Sequence, residues 1–327
     1  MSADQVSAGT MRAVVQDGFG GTELLRVARV PRPVPLPTEV LVRVHAAGVN
    51  PVDWKTRAGS GMADLIGEPP FTLGWDVSGV VEEVGFGVTV LKPGDEVYGM
   101  PRFPHAANAY AEYVTAPARQ FARKPATLDH AHAAAVPLAA LTAWQAVNDA
   151  AHVTAGQRVL ITAAAGGVGH FAVQFARILG AHVIAVASAG RHGWLKELGA
   201  EEVIDYTTTR FEEAVTGVDV VLELVGDDHD DSSTRALKVL RPDGLLVAVP
   251  AGVSPELAAA AEAAGVRVTP FLVEPDGAAL TTIAGLIDEG EVVVEVERTF
   301  PLERVAEAHA HGETGRVRGK LALTVTD

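Results

Sequence analysis

The chain has 327 residues, 48% hydrophobic and 20% charged, which at roughly 150 residues per domain is length for about two domains and excludes general disorder and rod-like repeats. Its 26 Lys and Arg against 41 Asp and Glu give a formal charge of -15, a field that opposes nucleic acid and anionic membranes as partners. The absence of cysteine removes disulfides, thiol nucleophiles, iron–sulfur clusters and thiolate-bound zinc.

The opening MSADQVSAGT lacks the basic and then apolar run of a signal peptide, and residues 1–10 are expected to form a flexible tail. No apolar stretch reaches the ~18 to 20 residues that span a bilayer, so the expected location is cytoplasmic. Residues 11–125 read as short strands broken by Gly and Pro: MRAVVQ, TELLRVARV, EVLVRVHAAG, DVSGVVEEVG, DEVYGM and AYAEYVTAP. Val40, Val42 and Val44 alternate with Leu41, Arg43 and His45, which suits a half-buried antiparallel barrel. A short helix is expected after Asn50, with Pro51 in an early helical position. Asn50 is then either the N-cap of that helix, a hydrogen-bonding group of a site, or both.

Residues 126–275 change texture. RVLITA, HVIAVA, EVIDY, DVVLELV, LLVAVP and VRVTPFLV alternate with helical segments, the pattern of a doubly wound parallel sheet of about six strands. Residues 276–327 return to strand, helix and strand, and the final KLALTV is expected to rejoin the first domain.

The segment GQRVLITAAAGGVGHFAVQFAR places a buried strand, a glycine turn and an amphipathic helix in the order that dinucleotide binding requires. Val168, Phe171, Ala172, Phe175 and Leu179 share one helical face. The turn Ala165, Gly166, Gly167 and Val168 is the expected pyrophosphate cradle, with free amides and a positive dipole end at the helix N-terminus, while Gly169 permits close helix–strand packing. Ala164 stands where the first glycine of the usual fingerprint would be. The second strand ends at Ser188, followed by Arg191, where an NAD site would carry an acid. A hydroxyl and a guanidinium there favour the 2′-phosphate of NADPH, with His192 as a possible assistant.

Gly156, Gln157, Leu160, Ala164, Ala165, Gly166, Gly167, Gly169, Gln174 and Arg177, together with AAGVNPVDWK, GWDVSGVVEEVG, KPGDEVYG, AAAVPLAALTAW, LGAEEVIDY and GKLAL, resemble the zinc-free quinone oxidoreductase branch of the medium-chain dehydrogenase/reductase superfamily. The resemblance implies an α/β protein: a GroES-like β-barrel catalytic domain plus a Rossmann cofactor domain, with the active site in the cleft between them. It implies Thr142 beside the nicotinamide ribose, Tyr206 at the adenosine end, and the backbone near Val225, Pro250 and Ala251 along the ring. Lys320 of GKLAL joins the cofactor set. It also implies a homodimer through the last Rossmann strand, about Val268 to Val273.

In zinc-dependent relatives a cysteine and a histidine fall in the stretches that here hold Asn50 and Trp75, so no metal is expected. His130 with His132, and His309 with His311, are two apart and point about 200° apart on a helix. The acidic run Asp227, Asp228, His229, Asp230 and Asp231 reads as a solvated loop entering a helix capped by Ser232 or an adjacent Asp. Without a Lewis acid the acceptor must spread its own charge, as quinones and α,β-unsaturated carbonyls do. Asn50 is the candidate donor to the acceptor carbonyl or the nicotinamide. Trp54 heads an apolar pocket with Met62, Leu65, Ile66, Met100 and Phe103, and Asp53 and Lys55 are read as a surface pair. TRAGSGMADLI holds no tyrosine, which leaves water to deliver the proton. Two other readings share these motifs: a dedicated biosynthetic enoyl reductase, with Arg57 and Arg102 near the pocket mouth, and a non-catalytic NADPH-binding regulatory protein.

Overall fold

The computed structural model describes residues 9–227, 230–250 and 252–326, which form two compact units. The first holds the chain up to Leu141, Glu274–Glu289 and the residues from Val294 onward; the second is Thr142–Val273 with Gly290–Val293. Contacts thus put residues 126–141 in the first unit, although composition alone drew the division near 125. Most of the expected tail lies outside the described residues, and Thr10 already pairs in a strand.

In the first unit, β1 (Thr10–Gln16) and β2 (Leu25–Pro31) form an antiparallel hairpin. The larger sheet contains β3 (Glu39–Val49), β4 (Asp76–Val84), β5 (Glu96–Gly99), β6 (Tyr113–Pro117), β7 (Phe121–Arg123), β14 (Val296–Pro301) and β15 (Lys320–Thr324), numbered in chain order. It runs β14-β15-β3-β4-β5-β7, with β6 also on β3. Val40, Val42 and Val44 are fully buried, as their alternation requires, and join Val77, Val81, Val97, Leu321 and Leu323 in one core. Each such side chain contributes roughly 1.5–3 kcal/mol on burial. Leu41 is buried as well, so β3 is covered on part of both faces. The final strand rejoins this unit by pairing Leu321 with Val49 and Leu323 with Ala47.

In the second unit, β8 (Arg158–Ile161), β9 (His182–Ala187), β10 (Glu202–Asp205), β11 (Val218–Glu223), β12 (Leu240–Ala248) and β13 (Arg267–Pro270) form one sheet in the order β10-β9-β8-β11-β12-β13. Every pairing is parallel. The number of strands and their parallel pairing match the sheet of about six strands read from the sequence; the order comes from the structure. The order reverses between β8 and β11, the point at which such sheets bind ligands. The helix Gly167–Ile178 buries Phe171, Ala172 and Phe175 as expected, and also His170, Val173 and Gln174. Gln174 is drawn in because its side-chain amide bonds the backbone of Val293 in both directions, at 3.0 and 2.7 Å. β13 is an edge strand and ends at Pro270, short of the stretch to Val273 expected for it. Among the described residues no helix is long and apolar enough to cross a membrane.

Candidate functional site

Behind β8 the chain turns through residues 162–166 into the helix Gly167–Ile178. Gly166 is its N-cap in extended conformation and no side chain caps it, so the first-turn N–H groups remain for an anion. Ala163, not Ala164, carries the left-handed backbone of this turn, with φ at 45°. A Cβ on Gly169 would lie 2.4 Å from the Ala163 carbonyl oxygen, which is why only glycine fits where helix meets strand. Ala165, Gly166, Gly167 and Val168 are all half-buried at this turn.

Other candidate residues follow the carboxyl ends of neighbouring strands. Ser188 follows β9 and leads into the single turn Ala189–Arg191, where Arg191 is half-buried. The His192 ring bonds the Ala187 carbonyl through Nε2 at 3.1 Å, so it braces the turn rather than assisting at a phosphate. Tyr206, just past β10, is 62% exposed. Asp205 beside it went unnoticed in the sequence. The Thr207 hydroxyl, at 2.7 Å, and N–H, at 3.0 Å, hold its carboxyl below the ordinary aspartate range, and the Ala189 N–H and His192 add to this. An anion therefore stands beside the turn that carries Arg191.

Val225 follows β11 and is half-buried, and Pro250 follows β12 and is exposed. Ala251 lies outside the described residues, as do Asp228 and His229. Thr142, in the helix Pro137–Gln145, is 3% exposed. The described part of the acidic run is engaged internally: Asp227 accepts from Thr234 at 2.9 Å, and Asp230 pairs with Arg235 at 2.5 Å. The expected cap is absent, since Asp231 occupies the N-cap position without a side-chain bond and the Ser232 hydroxyl turns instead to Glu223 at 2.8 Å. Glu223, an acid inside the apolar run DVVLELV, is completely buried and was missed.

The first unit builds a buried polar cluster where β3 ends. The Asn50 N–H donates to Asp53 Oδ2 at 2.7 Å, and its side-chain Nδ2 donates to Asp76 Oδ2 at 2.8 Å. The Lys320 ammonium donates to Asn50 Oδ1 and to the Val49 carbonyl at 3.0 Å, and lies 3.8 Å from Asp76. Leu138 N–H donates to the other Asp76 oxygen at 2.7 Å. Asn50 thus occupies the N-cap position of the helix Pro51–Arg57, in a capping box with Asp53, and its side chain also serves Asp76 and Lys320. With donors on Asn50 and Val49 and its charge beside Asp76, Lys320 is the counter-ion of this buried cluster.

Burial pushes the Asp53 carboxyl up to about 7, against the Asn50 N–H, the Tyr110 hydroxyl and Lys320, while Asp76 reinforces the rise. Burial likewise raises Asp76 and lowers Lys320, each partly offset by the other. Asp53 is fully buried and Lys55 is exposed, so they are not a surface pair. A carboxyl whose folded pKa lies above its ordinary 3.8 contributes stability that is complete below 3.8 and lost as pH rises through about 7. The Asp53→Asn variant, fixed in the neutral form, is expected to gain in Tm relative to the parent as pH rises from about 5 to 8. A constant Tm difference across that range in scanning calorimetry would contradict it.

The indole of Trp54 is taken up by packing. A Cβ on Gly312 would lie 2.6 Å from its ring, and His309 meets it edge-on at 6.3 Å. It fastens the helix Val305–Glu313 rather than opening a pocket. Met100 and Phe103 are core residues and Leu65 is 51% exposed, so the apolar set does not line one cavity. Trp75 is buried, its Nε1–H on the His105 carbonyl at 2.8 Å and its ring edge-on to Phe103. Arg57 and Arg102 are committed, Arg57 to Glu313 at 2.5 Å and to His309, and Arg102 to Glu39.

The histidines have separate partners: His130 with Ser78 at 2.7 Å, His132 with Asp129 at 2.8 Å, His309 with Arg57 at 3.3 Å and His311 with Glu297 at 2.7 Å. Burial, helped by Arg57, pushes the His309 ring down to about 3 and keeps it neutral. Among the described residues no group of three or more His, Cys, Asp or Glu is arranged to hold a metal. An ammonium already provides the positive charge between the buried carboxylates, the Asn50 Oδ1 is taken by Lys320, and the Trp75 Nε1–H, on the His105 carbonyl, is a donor and no ligand. These residues do not fit a catalytic zinc.

Two family descriptions match the chain, the alcohol dehydrogenase GroES-like domain over residues 36–126 and zinc-binding dehydrogenase over residues 198–323. The mitochondrial NAD(P)H oxidoreductase RTN4IP1 of Mus musculus is 35% identical, over 99% of this chain and 92% of that protein. The chloroplastic NADPH-dependent alkenal/one oxidoreductase of Arabidopsis thaliana is 34% identical, over 99% of this chain and 82% of that protein. The solved quinone oxidoreductase of Coxiella burnetii superposes with a TM-score of 0.92 at 38% identity, over 97% of this chain and all of that one.

Proposed function

Because this chain belongs to the quinone oxidoreductase branch of the medium-chain dehydrogenase/reductase superfamily, we propose that it is an NADPH-dependent, metal-free reductase of quinones or α,β-unsaturated carbonyls. The observation that carries this reading is the uncapped, glycine-bounded N-terminus of the helix Gly167–Ile178, at the reversal of strand order, with Ser188 and Arg191 past the next strand.

A reduced nicotinamide supplies the hydride when bound. The N–H groups of Gly167 and Val168 hold the pyrophosphate on the helix dipole. Ser188 and Arg191 bind the 2′-phosphate, and Tyr206 meets the adenosine end. Thr142 and the backbone near Val225 and Pro250 receive the nicotinamide half, with Ala251 assigned to the same stretch. In the first unit, the Lys320 ammonium on Oδ1 draws electron density from the Asn50 amide and makes its Nδ2–H a stronger donor. One N–H serves Asp76, and the second is assigned to the acceptor oxygen, where negative charge develops as the β-carbon of an enone, or a quinone, takes the hydride. Water then protonates the enolate or hydroquinone anion. The Asn50→Ala variant is expected to lose on the order of 10²-fold in kcat with an unchanged affinity for NADPH.

The test is the absorbance decay of NADPH with benzoquinone, phenanthrenequinone, an alkenal and cyclohexenone, each repeated with NADH and after dialysis against a strong chelator. Turnover that prefers NADPH and survives the chelator is expected. Silence with every acceptor while NADPH binds would overturn the reading. An enoyl reductase acting on an acyl carrier would want basic residues at the pocket mouth, and the ion pairs of Arg57 and Arg102 remove the two candidates for it. We assign the homodimer to the exposed edge of β13, to be checked by light scattering.

A further inference from the structure

At the reversal of strand order, β8 ends at Ile161 and β11 ends at Glu223, so the residues leaving these two strands frame the crevice above the sheet. Glu223 bridges them. Its fully buried carboxylate accepts the Thr162 hydroxyl at 3.1 Å from the β8 side. From its own side it accepts the N–H groups of Val225 and Gly226 at 3.1 and 2.7 Å, and the hydroxyls of Ser232 and Ser233 at 2.8 and 3.1 Å. Thr162 closes the ring by accepting the Leu224 N–H on its own hydroxyl oxygen at 2.8 Å.

An acid at the buried end of an apolar strand is expensive unless its acceptor sites are filled, and here five neutral donors fill the roughly four lone-pair positions of a carboxylate. An apolar side chain would pack there at lower cost, so packing alone does not account for the acid. What the ring does is fasten two turns together: residues 162–166, which lead into the helix N-terminus, and residues 224–226 beyond the next strand. Both leave the sheet at its carboxyl edge; backbone bonds tie the first to the sheet, Thr162 N–H to the Leu222 carbonyl at 3.2 Å and Ala164 N–H to the Val186 carbonyl at 3.1 Å, and the side-chain ring is what reaches residues 224–226.

We infer that Glu223 is a positioning residue that locks these two turns at a set spacing, so that one cofactor is met by both at once. The inference rests on the proposal that a nicotinamide dinucleotide binds at this crevice. A ligand reaching only the turn of residues 162–166 does not sense the lock, whereas one spanning both turns does.

The experiment is titration calorimetry of the full chain with two probes, NADPH and 2′-phospho-ADP-ribose, which lacks the nicotinamide. Binding of both to the parent protein tests the cofactor reading by itself; if neither binds, it is that reading which fails. With both bound by the parent, Glu223→Gln turns an N–H pair toward donors, and the expected result is a loss of about ten-fold or more for NADPH against less than about three-fold for 2′-phospho-ADP-ribose. In steady-state assays kcat falls while the KM of the quinone stays unchanged. Thr162→Val cuts the same link while leaving four donors on Glu223, and it must show the same split, so a Glu223→Gln protein that fails to fold does not end the test. Equal losses for the two probes, or no loss for either, would overturn the inference.

Discussion

Replacing Lys320 with methionine is expected to cost about 3–5 kcal/mol of folding stability near neutral pH, the loss typical of removing one partner from a buried ion pair. Methionine matches the lysine stem in length and leaves the packing nearly intact, so the effect isolates the ammonium. Its removal leaves the fully buried Asp76 and Asp53 without a counter-charge, and takes a donor from Asn50 Oδ1 and from the Val49 carbonyl. Both carboxyls already sit above their ordinary range because of burial; Lys320 is the main influence that lowers Asp76, and it adds to the Asn50 N–H and Tyr110 hydroxyl in lowering Asp53. Without it their folded pKa values rise further, so the penalty is largest at high pH and shrinks as acid neutralises them. Urea unfolding of parent and variant at several pH values measures this. A loss under about 1 kcal/mol, or one that does not change with pH, would show that the cluster does not need the ammonium.

Arg191→Ala is expected to raise the KM for NADPH by about 10- to 100-fold while changing that for NADH by less than about three-fold, the worth of a charge-assisted phosphate contact. Two features make the discrimination steep. Ser188, where NAD sites carry an acid, offers only a hydroxyl. Asp205, held as a carboxylate by Thr207 and reached by the Ala189 N–H, stands beside the same turn, so loss of the guanidinium leaves a net negative surface facing the incoming phosphate. Steady-state kinetics with the two cofactors decides the matter, and equal effects on both would remove the 2′-phosphate assignment.

The second unit is largely legible in the sequence. Its strands are short apolar runs bounded by turns, and the glycine spacing of AAAGGVG reflects a clash over a few residues, as between Gly169 and Ala163. Such signals are local, and local signals survive in one dimension. Glu223 escaped notice because its donors are scattered, Thr162 just past β8, Val225 and Gly226 in the following turn, and Ser232 and Ser233 nine and ten positions on, and no spacing rule joins them.

The first unit shows the limit more clearly. In PVDWKTR, Asp53 and Lys55 look alike as polar residues flanking a tryptophan, yet one is fully buried and the other exposed. Trp54 between them has the pattern of a pocket residue, yet its ring packs on Gly312.

Taken by itself, the sequence was sufficient for the fold class, the six-stranded parallel sheet and the family, because periodicity and glycine sterics act within a few residues. Which polar groups are buried, and what balances them, depended on chain segments far apart: Lys320 reaches Asn50 across 270 residues, and His309 reaches Arg57 across 252. The free energy of a buried charge is set by every group that surrounds it, and those neighbours are assembled only when the chain folds.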